Sequence, residues 1–375
     1  MKENPLLTLT SLGQSIWLDF ISRQLIVSGE LQRLIDEDGL RGMTSNPSIF
    51  DKAISGSQDY DDDIRALARE GKGIQEIYEA LTVADVQRAA DVFRPLYDHL
   101  SGADGFVSLE VNPHLAQDTH GTIAEARRLW GKLNRPNVFI KVPATLEGLP
   151  AIRQLTSEGI NVNITLLFGL PRYREVAAAY LAGLEERAAK RLPLGVSSVA
   201  SFFLSRIDVL LDPQLEKMAQ AGGPAAKAAA ALTGEVAIAS AKAAYTIYQQ
   251  IFRGDRYLAL VVKGARPQRL LWASTSTKNP AYPDLKYVEP LIGPETINTL
   301  PVETLNAYRD HGHPAVTLPE GLEKAAAVLQ RLPELGIDLN RVTQQLEDEG
   351  VEKFNQPYDN LIRTLEGKRR QALER

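Results

Sequence analysis

The chain has 375 residues, of which 44% are hydrophobic and 24% charged, and its formal net charge is -5. This composition is typical of a soluble globular protein, and the lack of a general basic surface argues against nucleic acid as a partner. Because the chain contains no cysteine, disulfides, thiolate metal sites and cysteine nucleophiles are excluded.

Eight short apolar segments alternate with helical patterns along the chain. Eight strand-helix units in one chain, with no linker rich in Gly and Ser, predict an α/β fold in the form of a closed (β/α)8 barrel rather than an open doubly wound sheet. We therefore expect residues 1–375 to form a single domain. The predicted strands are SIWLDF (15–20), LRGMTSN (40–46), GFVSLEV (105–111), VFIKV (138–142), INVNITLL (160–167), LGVSSVAS (194–201), RLLWAS (269–274) and ETINTL (295–300).

Amphipathic patterns predict helices between these strands. More than one helix is predicted in each of the segments 47–104 and 207–268, as additions after the second and sixth strands. A helical C-terminal extension is predicted over residues 316–375. Single helices are predicted at SRQLIVSGELQRLIDEDG (22–39), TIAEARRLWGKL (122–133), LPAIRQLTSEG (149–159) and PRYREVAAAYLAGLEERAAKRL (171–192).

The first residues, MKENPLLTLTSLG, lack the continuous apolar core and small-residue cleavage site of a signal peptide. No run of about 18 apolar residues occurs elsewhere. These features predict a cytoplasmic protein without a membrane partner.

Polar residues lie at alternate positions of the fifth predicted strand, NVNITLL, and apolar residues lie between them. Successive side chains of a strand point to opposite faces, so the polar set is expected inside the barrel and the apolar set under the helices. The same alternation can place an acid, a lysine or a serine inward near the C-terminal ends of other strands, where barrel enzymes build active sites. These residues are Asp19, Glu110, Lys141 and Ser201.

Lys141 lies in the apolar strand VFIKVPAT, and that segment alone favours a lysine whose ammonium group reaches solvent. This interpretation is weakened because one lysine, two carboxylates, amides and hydroxyls converge on one rim. Buried polar groups are costly unless they are hydrogen-bonded or take part in function. A lysine among apolar neighbours can become a neutral amine that attacks a carbonyl. We therefore expect Schiff-base chemistry, with Asp19 and Glu110 moving protons and without a cofactor, since the protonated imine is the electron sink.

Six segments between about residues 10 and 310 together resemble transaldolases of the longer bacterial branch. They are GMTSNPSIFDKAI, VSLEVNP, VFIKVPAT, GINVNITLLF, SFFLSRID and WASTSTKNPAY, in the order of the family. The resemblance implies a (β/α)8 barrel, with Lys141 as the Schiff-base lysine and Asp19 as the acid-base group. It also implies that Glu110 acts through a water molecule.

The resemblance further implies a set of substrate-binding residues. Arg206 matches the family's phosphate-binding arginine. The better-known branch has a second arginine in Ser-x-Arg after the seventh strand, whereas this chain has ASTSTKN, in which Ser274 keeps the serine and Lys278 is the nearest cation. The remaining predicted substrate-binding residues are Ser45, Asn46, Asn163, Thr165, Ser201 and Phe203.

The expected activity is that of a transaldolase of the pentose phosphate pathway, with small sugar phosphates as partners. It transfers dihydroxyacetone from sedoheptulose 7-phosphate to glyceraldehyde 3-phosphate, giving erythrose 4-phosphate and fructose 6-phosphate. A fructose-6-phosphate aldolase is the first alternative, although such aldolases carry tyrosine where this chain has Phe203. A non-catalytic sugar-phosphate-binding protein is the second. No metal site is expected from the spacing of the five histidines, and the sequence leaves the oligomeric state open.

Overall fold

The computed structural model describes residues 4–374, so residues 1–3 and 375 of the predicted domain lie outside the described part. Eight parallel strands close into a barrel in chain order, with the last strand paired to the first. The predicted (β/α)8 barrel is therefore confirmed, and each predicted strand segment contains one of the observed strands or overlaps it. The strands are β1 (Gln14–Asp19), β2 (Gly42–Thr44), β3 (Phe106–Glu110), β4 (Val138–Pro143), β5 (Val162–Leu167), β6 (Ser198–Phe203), β7 (Gln268–Ala273) and β8 (Thr296–Leu300).

Helices surround the barrel, with several of them between β2 and β3 and between β6 and β7, as the sequence predicts. Among residues 4–374, no helix combines the length and the apolar character needed to cross a membrane. The helices are α1 (Pro5–Ser11), α2 (Arg23–Val27), α3 (Glu30–Asp38), α4 (Pro47–Ser55), α5 (Asp61–Arg69), α6 (Ile74–His99), α7 (Thr119–Leu133), α8 (Gly148–Glu158), α9 (Leu170–Ala189), α10 (Ser205–Gln220), α11 (Ala226–Leu232), α12 (Val236–Phe252), α13 (Asp255–Val261), α14 (Val302–His311), α15 (Leu322–Arg331) and α16 (Leu339–Glu374).

The helical pattern over residues 22–39 forms two short helices rather than one. The chain turns at Gly29, whose φ of 83° lies in the left-handed region that favours glycine, and α3 begins directly after it. The preceding Ser28 ends α2, so two short helices replace the predicted one.

Aromatic side chains fill the lower part of the barrel. The ring of Trp17 lies 6.4 Å from that of Phe106 and 6.0 Å from that of Phe139, and these two phenylalanine rings are 4.4 Å apart. Trp17 also donates an indole hydrogen bond of 2.8 Å to Asp104. A Cβ atom at Gly42 would lie 2.4 Å from the Trp17 ring, so glycine is needed on β2 for the ring to fit. These rings fill the barrel beneath the polar residues at the C-terminal ends of the strands.

A bulge interrupts β5 near its end. The pairing of β5 with β6 shifts register between Ile164 and Leu167, and Leu166 has a φ of 55°. The predicted inside-outside alternation therefore holds through Thr165 and fails at Leu166. A Cβ atom on Gly350 of α16 would lie 3.0 Å from the side chain of Leu166, so the bulge and the C-terminal helix approach closely.

The predicted helical C-terminal extension is present as α15 and α16. The long helix α16 packs against α4, α5, α6 and α10, and Phe354 from its middle lines the cavity at the upper end of the barrel. Two hydrogen bonds fix α16 on the C-terminal side of Phe354. Tyr358 accepts one of 3.2 Å from the Asn112 amide just after β3, and Lys368 donates to Asp61 at 2.6 Å.

Candidate active site

A cavity of about 400 Å³ lies at the C-terminal ends of the strands, inside the barrel and beneath α16. Parallel strands bring the residues at their C-terminal ends to one rim, which is why residues far apart in the sequence meet there. The predicted site residues that line this cavity are Asp19, Asn46, Lys141, Thr165, Ser201, Phe203, Arg206, Ser274 and Lys278.

The Lys141 side chain is buried, with 4% of the residue exposed. Its Nζ donates a 2.9 Å hydrogen bond to the Ser45 carbonyl oxygen and lies 3.2 Å from Glu110 Oε2. The ring of Phe354 lies over Nζ, with its centre 5.7 Å away. The expectation from the strand segment alone, a lysine that reaches solvent, is therefore wrong, because the barrel supplies the ammonium group with partners inside.

Glu110 lies beside Lys141 on the neighbouring strand, and the two residues are paired in register between β3 and β4. Burial raises the pKa of Glu110, while the positive charge of Lys141 opposes the rise. Glu110 Oε2 lies 3.2 Å from Lys141 Nζ, and Oε1 has no hydrogen-bond partner in the described part of the chain. Oε1 can therefore accept a hydrogen bond from water or from a substrate hydroxyl.

Asp19 ends β1 at the cavity wall. Burial raises its pKa, and the hydrogen bond from Thr44 is the main effect that opposes the rise. Thr44 Oγ1 donates to Asp19 Oδ1 at 2.7 Å and lies 2.8 Å from Thr299 Oγ1. A carboxyl group with a raised pKa exchanges protons more readily near neutral pH than an ordinary aspartate. Thr44 was not among the predicted site residues, although the alternation of side chains along β2 would have placed it inside the barrel.

Two predicted substrate-binding residues lie below the cavity instead of lining it. The hydroxyl of Ser45 donates a 2.7 Å hydrogen bond to the carbonyl oxygen of Ser108, and the Ser45 carbonyl oxygen accepts one from Lys141. Asn163 is fully buried. Its amide donates a 3.0 Å hydrogen bond to the Ser108 hydroxyl and accepts one of 2.7 Å from the Ser201 hydroxyl. Neither residue lines the cavity, and both contact groups that do.

Asn46 and Phe203 have partners within the protein as well as positions on the cavity wall. The Asn46 side chain accepts a 3.0 Å hydrogen bond from the Ile49 N–H and so caps the start of α4. The ring of Phe203 packs against that of Phe168 at 5.1 Å and lies 5.8 Å from the Arg206 guanidinium. Phe203 therefore presents an apolar surface between the Lys141 end of the cavity and its cationic end.

The cationic end of the cavity contains Arg206 from the first turn of α10 and Lys278 from the loop after β7. Neither residue forms an ion pair within residues 4–374, and Arg206 Nη1 is buried without a hydrogen-bond partner there. Burial lowers the pKa of each. For Lys278, the negative charge of Glu303 opposes the decrease and the positive charge of Arg206 adds to it. Two desolvated cations without a carboxylate partner form a site for a dianion such as phosphate.

Serine hydroxyls near this end differ from the prediction in one respect. Ser274 was expected to be the serine of the second phosphate element, but its hydroxyl lies 3.0 Å from that of Ser205. Ser276, which sequence reasoning missed, lines the cavity and accepts a hydrogen bond from Lys278 Nζ. The ASTSTKN segment contains both serines, and only the folded loop shows which one contacts the lysine.

Three of the other unpredicted residues that line the cavity are charged or cover Lys141. Lys52 on α4 adds a third cation, and Glu303 at the start of α14 adds a carboxylate whose charge raises the pKa of Asp19 slightly. Phe354 comes from α16. Lys52 lies in the segment GMTSNPSIFDKAI that carried the resemblance, whereas no local signal marks Glu303 or Phe354.

The candidate reacting groups and the cations of the cavity come from different parts of the barrel. The candidate proton-transfer and nucleophilic groups lie on β1, β3 and β4, at Asp19, Glu110 and Lys141. The cations Arg206 and Lys278 follow β6 and β7.

Comparison with known proteins gives consistent results over nearly the whole chain. The family model described as Transaldolase/Fructose-6-phosphate aldolase matches residues 16–365. A protein of Trichodesmium erythraeum named Transaldolase is 48% identical over 373 residues, covering 98% of both chains. One of Thiobacillus denitrificans with the same name is 49% identical, covering 94% of this chain and 96% of its own. A Nostoc protein named Transaldolase 2 is 47% identical, with 98% of both chains covered.

Proposed function

The chain belongs to the transaldolase/fructose-6-phosphate aldolase family, and we propose that it is a transaldolase with Lys141 as the Schiff-base lysine. The proposed donor is sedoheptulose 7-phosphate and the acceptor is glyceraldehyde 3-phosphate. The products are erythrose 4-phosphate and fructose 6-phosphate. One observation carries the proposal: Lys141 Nζ lies buried, 3.2 Å from the Glu110 carboxylate, in the same cavity as Asp19 and the unpaired cations.

The first step joins the enzyme to the ketose. Lys141, as the free amine, attacks the ketone carbon C2, and the proton from nitrogen moves to the oxygen to give a carbinolamine. Glu110 then donates a proton, through a water molecule, to the carbinolamine hydroxyl, which leaves as water. The result is a protonated imine between Nζ and C2. Glu110 Oε1 has no hydrogen-bond partner within residues 4–374 and can bind such a water, which supports this role.

The second step breaks the sugar chain. Asp19 accepts the proton of the C4 hydroxyl, the C3–C4 bond breaks, and its electron pair moves into the imine to form an enamine. The C4 oxygen becomes the aldehyde of the released aldose. The raised pKa of Asp19, caused mainly by burial, suits a group that takes this proton and later returns it.

The third step transfers the retained three-carbon unit. Carbon C3 of the enamine attacks the aldehyde of the acceptor, and Asp19 gives its proton to the new hydroxyl. Water then adds to the imine, its oxygen becomes the ketone oxygen of the product, and Lys141 is freed. Arg206 and Lys278 bind the phosphate of donor and acceptor in turn, which is supported by their lack of ion-pair partners within residues 4–374.

Phe203 bears on the alternative, a fructose-6-phosphate aldolase that releases free dihydroxyacetone. An apolar phenylalanine at this position of the cavity wall provides no hydroxyl to help a solvent molecule protonate the enamine. Phe354, on α16, covers the Lys141 ammonium group. Both observations favour transfer over release. The predicted cytoplasmic location stays a prediction.

The test is reduction with borohydride in the presence of fructose 6-phosphate, followed by mass spectrometry. We expect a covalent adduct on Lys141, and a protein that binds the sugar without forming an adduct is a non-catalytic binder. Free dihydroxyacetone is then assayed with and without an aldose acceptor. Release at the same rate in both conditions would replace the transferase by an aldolase.

A further inference from the structure

Two like charges are held close together at the cationic end of the cavity. Lys278 and Arg206 line the same cavity, and neither forms an ion pair within residues 4–374. Burial lowers the pKa of Lys278, the charge of Glu303 opposes this decrease, and the charge of Arg206 adds to it. Like charges in a partly desolvated site repel each other. The loop that carries Lys278 must therefore be fixed by other contacts, or the two cations would separate.

Helix α10 provides these contacts through two aspartates four residues apart, which lie on one face of the helix. Asp208 accepts a 2.9 Å hydrogen bond from the Tyr287 hydroxyl, and Asp212 accepts one of 2.7 Å from the Tyr282 hydroxyl. Both tyrosines belong to the loop between β7 and β8 that carries Lys278. The same helix carries Arg206 in its first turn, so it supports both cations.

The loop is also fixed on the other side of Lys278. The Ser205 N–H donates a 3.1 Å hydrogen bond to the Ser274 carbonyl oxygen, and the hydroxyls of these two serines lie 3.0 Å apart. Ser274 has a φ of 55°, in the left-handed region, so the chain turns sharply where it leaves β7. Lys278 is therefore held between attachments to α10 that precede it and attachments that follow it.

Each oxygen of the two aspartates accepts a hydrogen bond. Their second oxygens accept backbone hydrogen bonds, 2.8 Å from Ala237 to Asp208 and 2.7 Å from Gly234 to Asp212. Gly234 also allows close packing, since a Cβ atom there would lie 2.6 Å from the Tyr282 hydroxyl. A small cavity of about 220 Å³ between these aspartates, the tyrosines and Lys278 leaves the lysine near them. Lys278 forms no ion pair with either aspartate in this structure and lines the main cavity.

We propose that Asp208 and Asp212 are positioning residues: through Tyr287 and Tyr282 they hold the Lys278 loop on α10 and set the spacing of Lys278 and Arg206 for a substrate phosphate. This inference rests on the proposed function and deepens it. The aspartates do not touch the substrate. They act by keeping two cations at a separation that a single dianion bridges.

The test uses Tyr282→Phe and the double variant Tyr282→Phe/Tyr287→Phe, which keep the rings and remove the hydrogen bonds to the aspartates. Inorganic phosphate is the probe, measured by calorimetric binding and as a competitive inhibitor, together with KM for fructose 6-phosphate and for unphosphorylated fructose. We expect the phosphate Kd and the KM for fructose 6-phosphate to rise about tenfold in the double variant. The kinetics with fructose should stay unchanged. Tyr173→Phe is the matched control, because the buried Tyr173 hydroxyl has no hydrogen-bond partner in residues 4–374.

A double-mutant cycle with Lys278→Ala separates positioning from general stability. If Tyr282 acts through Lys278, Tyr282→Phe should not weaken phosphate binding further once Lys278 is alanine. An equal loss with and without Lys278, or an equal loss for fructose and fructose 6-phosphate, would overturn the proposal. Unchanged phosphate affinity in a folded double variant would also overturn it. If the double variant does not fold, phosphate binding by Tyr282→Phe, measured with and without Lys278→Ala, tests the proposal instead. Phosphate binding is measured without turnover, so a wild-type protein that forms no borohydride adduct would reject the proposed function separately.

Discussion

Lys141 Nζ lies 3.2 Å from Glu110 Oε2, and the two side chains are only 6% and 5% exposed. A buried pair of this kind is destabilising to break, because the remaining charge has no solvent to stabilise it. The barrel keeps both groups at the point where the proposed chemistry needs a nucleophile and a proton donor. A buried ion pair is often no more stabilising than apolar residues of similar volume, so we interpret its position through the proposed reaction.

Lys141→Ala should abolish the borohydride adduct and lower turnover by roughly 10⁴-fold or more, because no other group can form the imine. Lys242→Ala is a matched control, since Lys242 is also a buried lysine but donates to backbone carbonyls, including that of Thr317 at 2.7 Å. Mass spectrometry of the reduced protein checks both variants. Adduct formation by Lys141→Ala at the native yield would assign the reaction to another lysine.

Asp19→Asn should lower kcat by about 10² to 10⁴ while borohydride still traps the uncleaved ketose on Lys141. Asparagine keeps the Oδ1 atom that accepts the hydrogen bond from Thr44 but cannot take a proton from the C4 hydroxyl. Glu110→Gln should instead slow the formation of the adduct. Trapping rates and turnover of both variants are compared, and the reverse pattern would mean that the roles of the two carboxylates are exchanged.

Arg206→Ala should raise KM for phosphorylated substrates by the equivalent of roughly 2 to 5 kcal/mol, with a much smaller effect on unphosphorylated sugars. Lys278→Ala should have a weaker effect of the same kind, because a lysine offers a point charge and not a bidentate guanidinium. Steady-state kinetics with fructose 6-phosphate and fructose provide the measurement. An Arg206→Ala variant that loses both substrates equally would indicate a structural arginine.

Phe354→Ala should let water reach the enamine on Lys141, so that more dihydroxyacetone is released for each transfer event. The residue is 4% exposed, and its removal should also cost about 3 to 5 kcal/mol of stability. Phe354→Leu is the control that keeps most of the apolar cover. The ratio of free dihydroxyacetone to transfer product is measured, and an unchanged ratio in a folded Phe354→Ala protein would remove water exclusion from the role of α16.

Asp208 provides a pH-dependent test of stability. Burial raises the pKa of Asp208 from 3.8 to about 6, so between these values the folded protein keeps a proton that the unfolded chain has lost. The Asp208 contribution to the free energy of unfolding is therefore fully present at low pH and is lost as the pH rises through about 6. Relative to Asp208→Asn, wild type should lose about 2 kcal/mol between pH 4.5 and 7.5. Urea denaturation of both proteins measures this, and a constant difference would show that Asp208 titrates normally.

The strands were predictable because their apolar composition and the polar residues at their C-terminal ends are local features. The alternation in β5 failed at Leu166, where a bulge depends on the register with β6. The burial of Lys141 could not be read from VFIKVPAT, because its partners lie 96 and 31 residues earlier, at Ser45 and Glu110. Phe354 was missed for the same reason, since only the path of α16 across the barrel brings it to the lysine.

The separation between the strands that carry the chemistry and those that carry the cations has a consequence for how such an enzyme can diversify. The proposed bond-breaking groups lie on β1, β3 and β4, and the phosphate-binding cations follow β6 and β7. Changes in the second half of the barrel can therefore alter which sugars are recognised while the reacting groups stay in place. A chimera that exchanges β6, β7 and their loops between relatives would inherit one parent's chemistry and the other's choice of substrate.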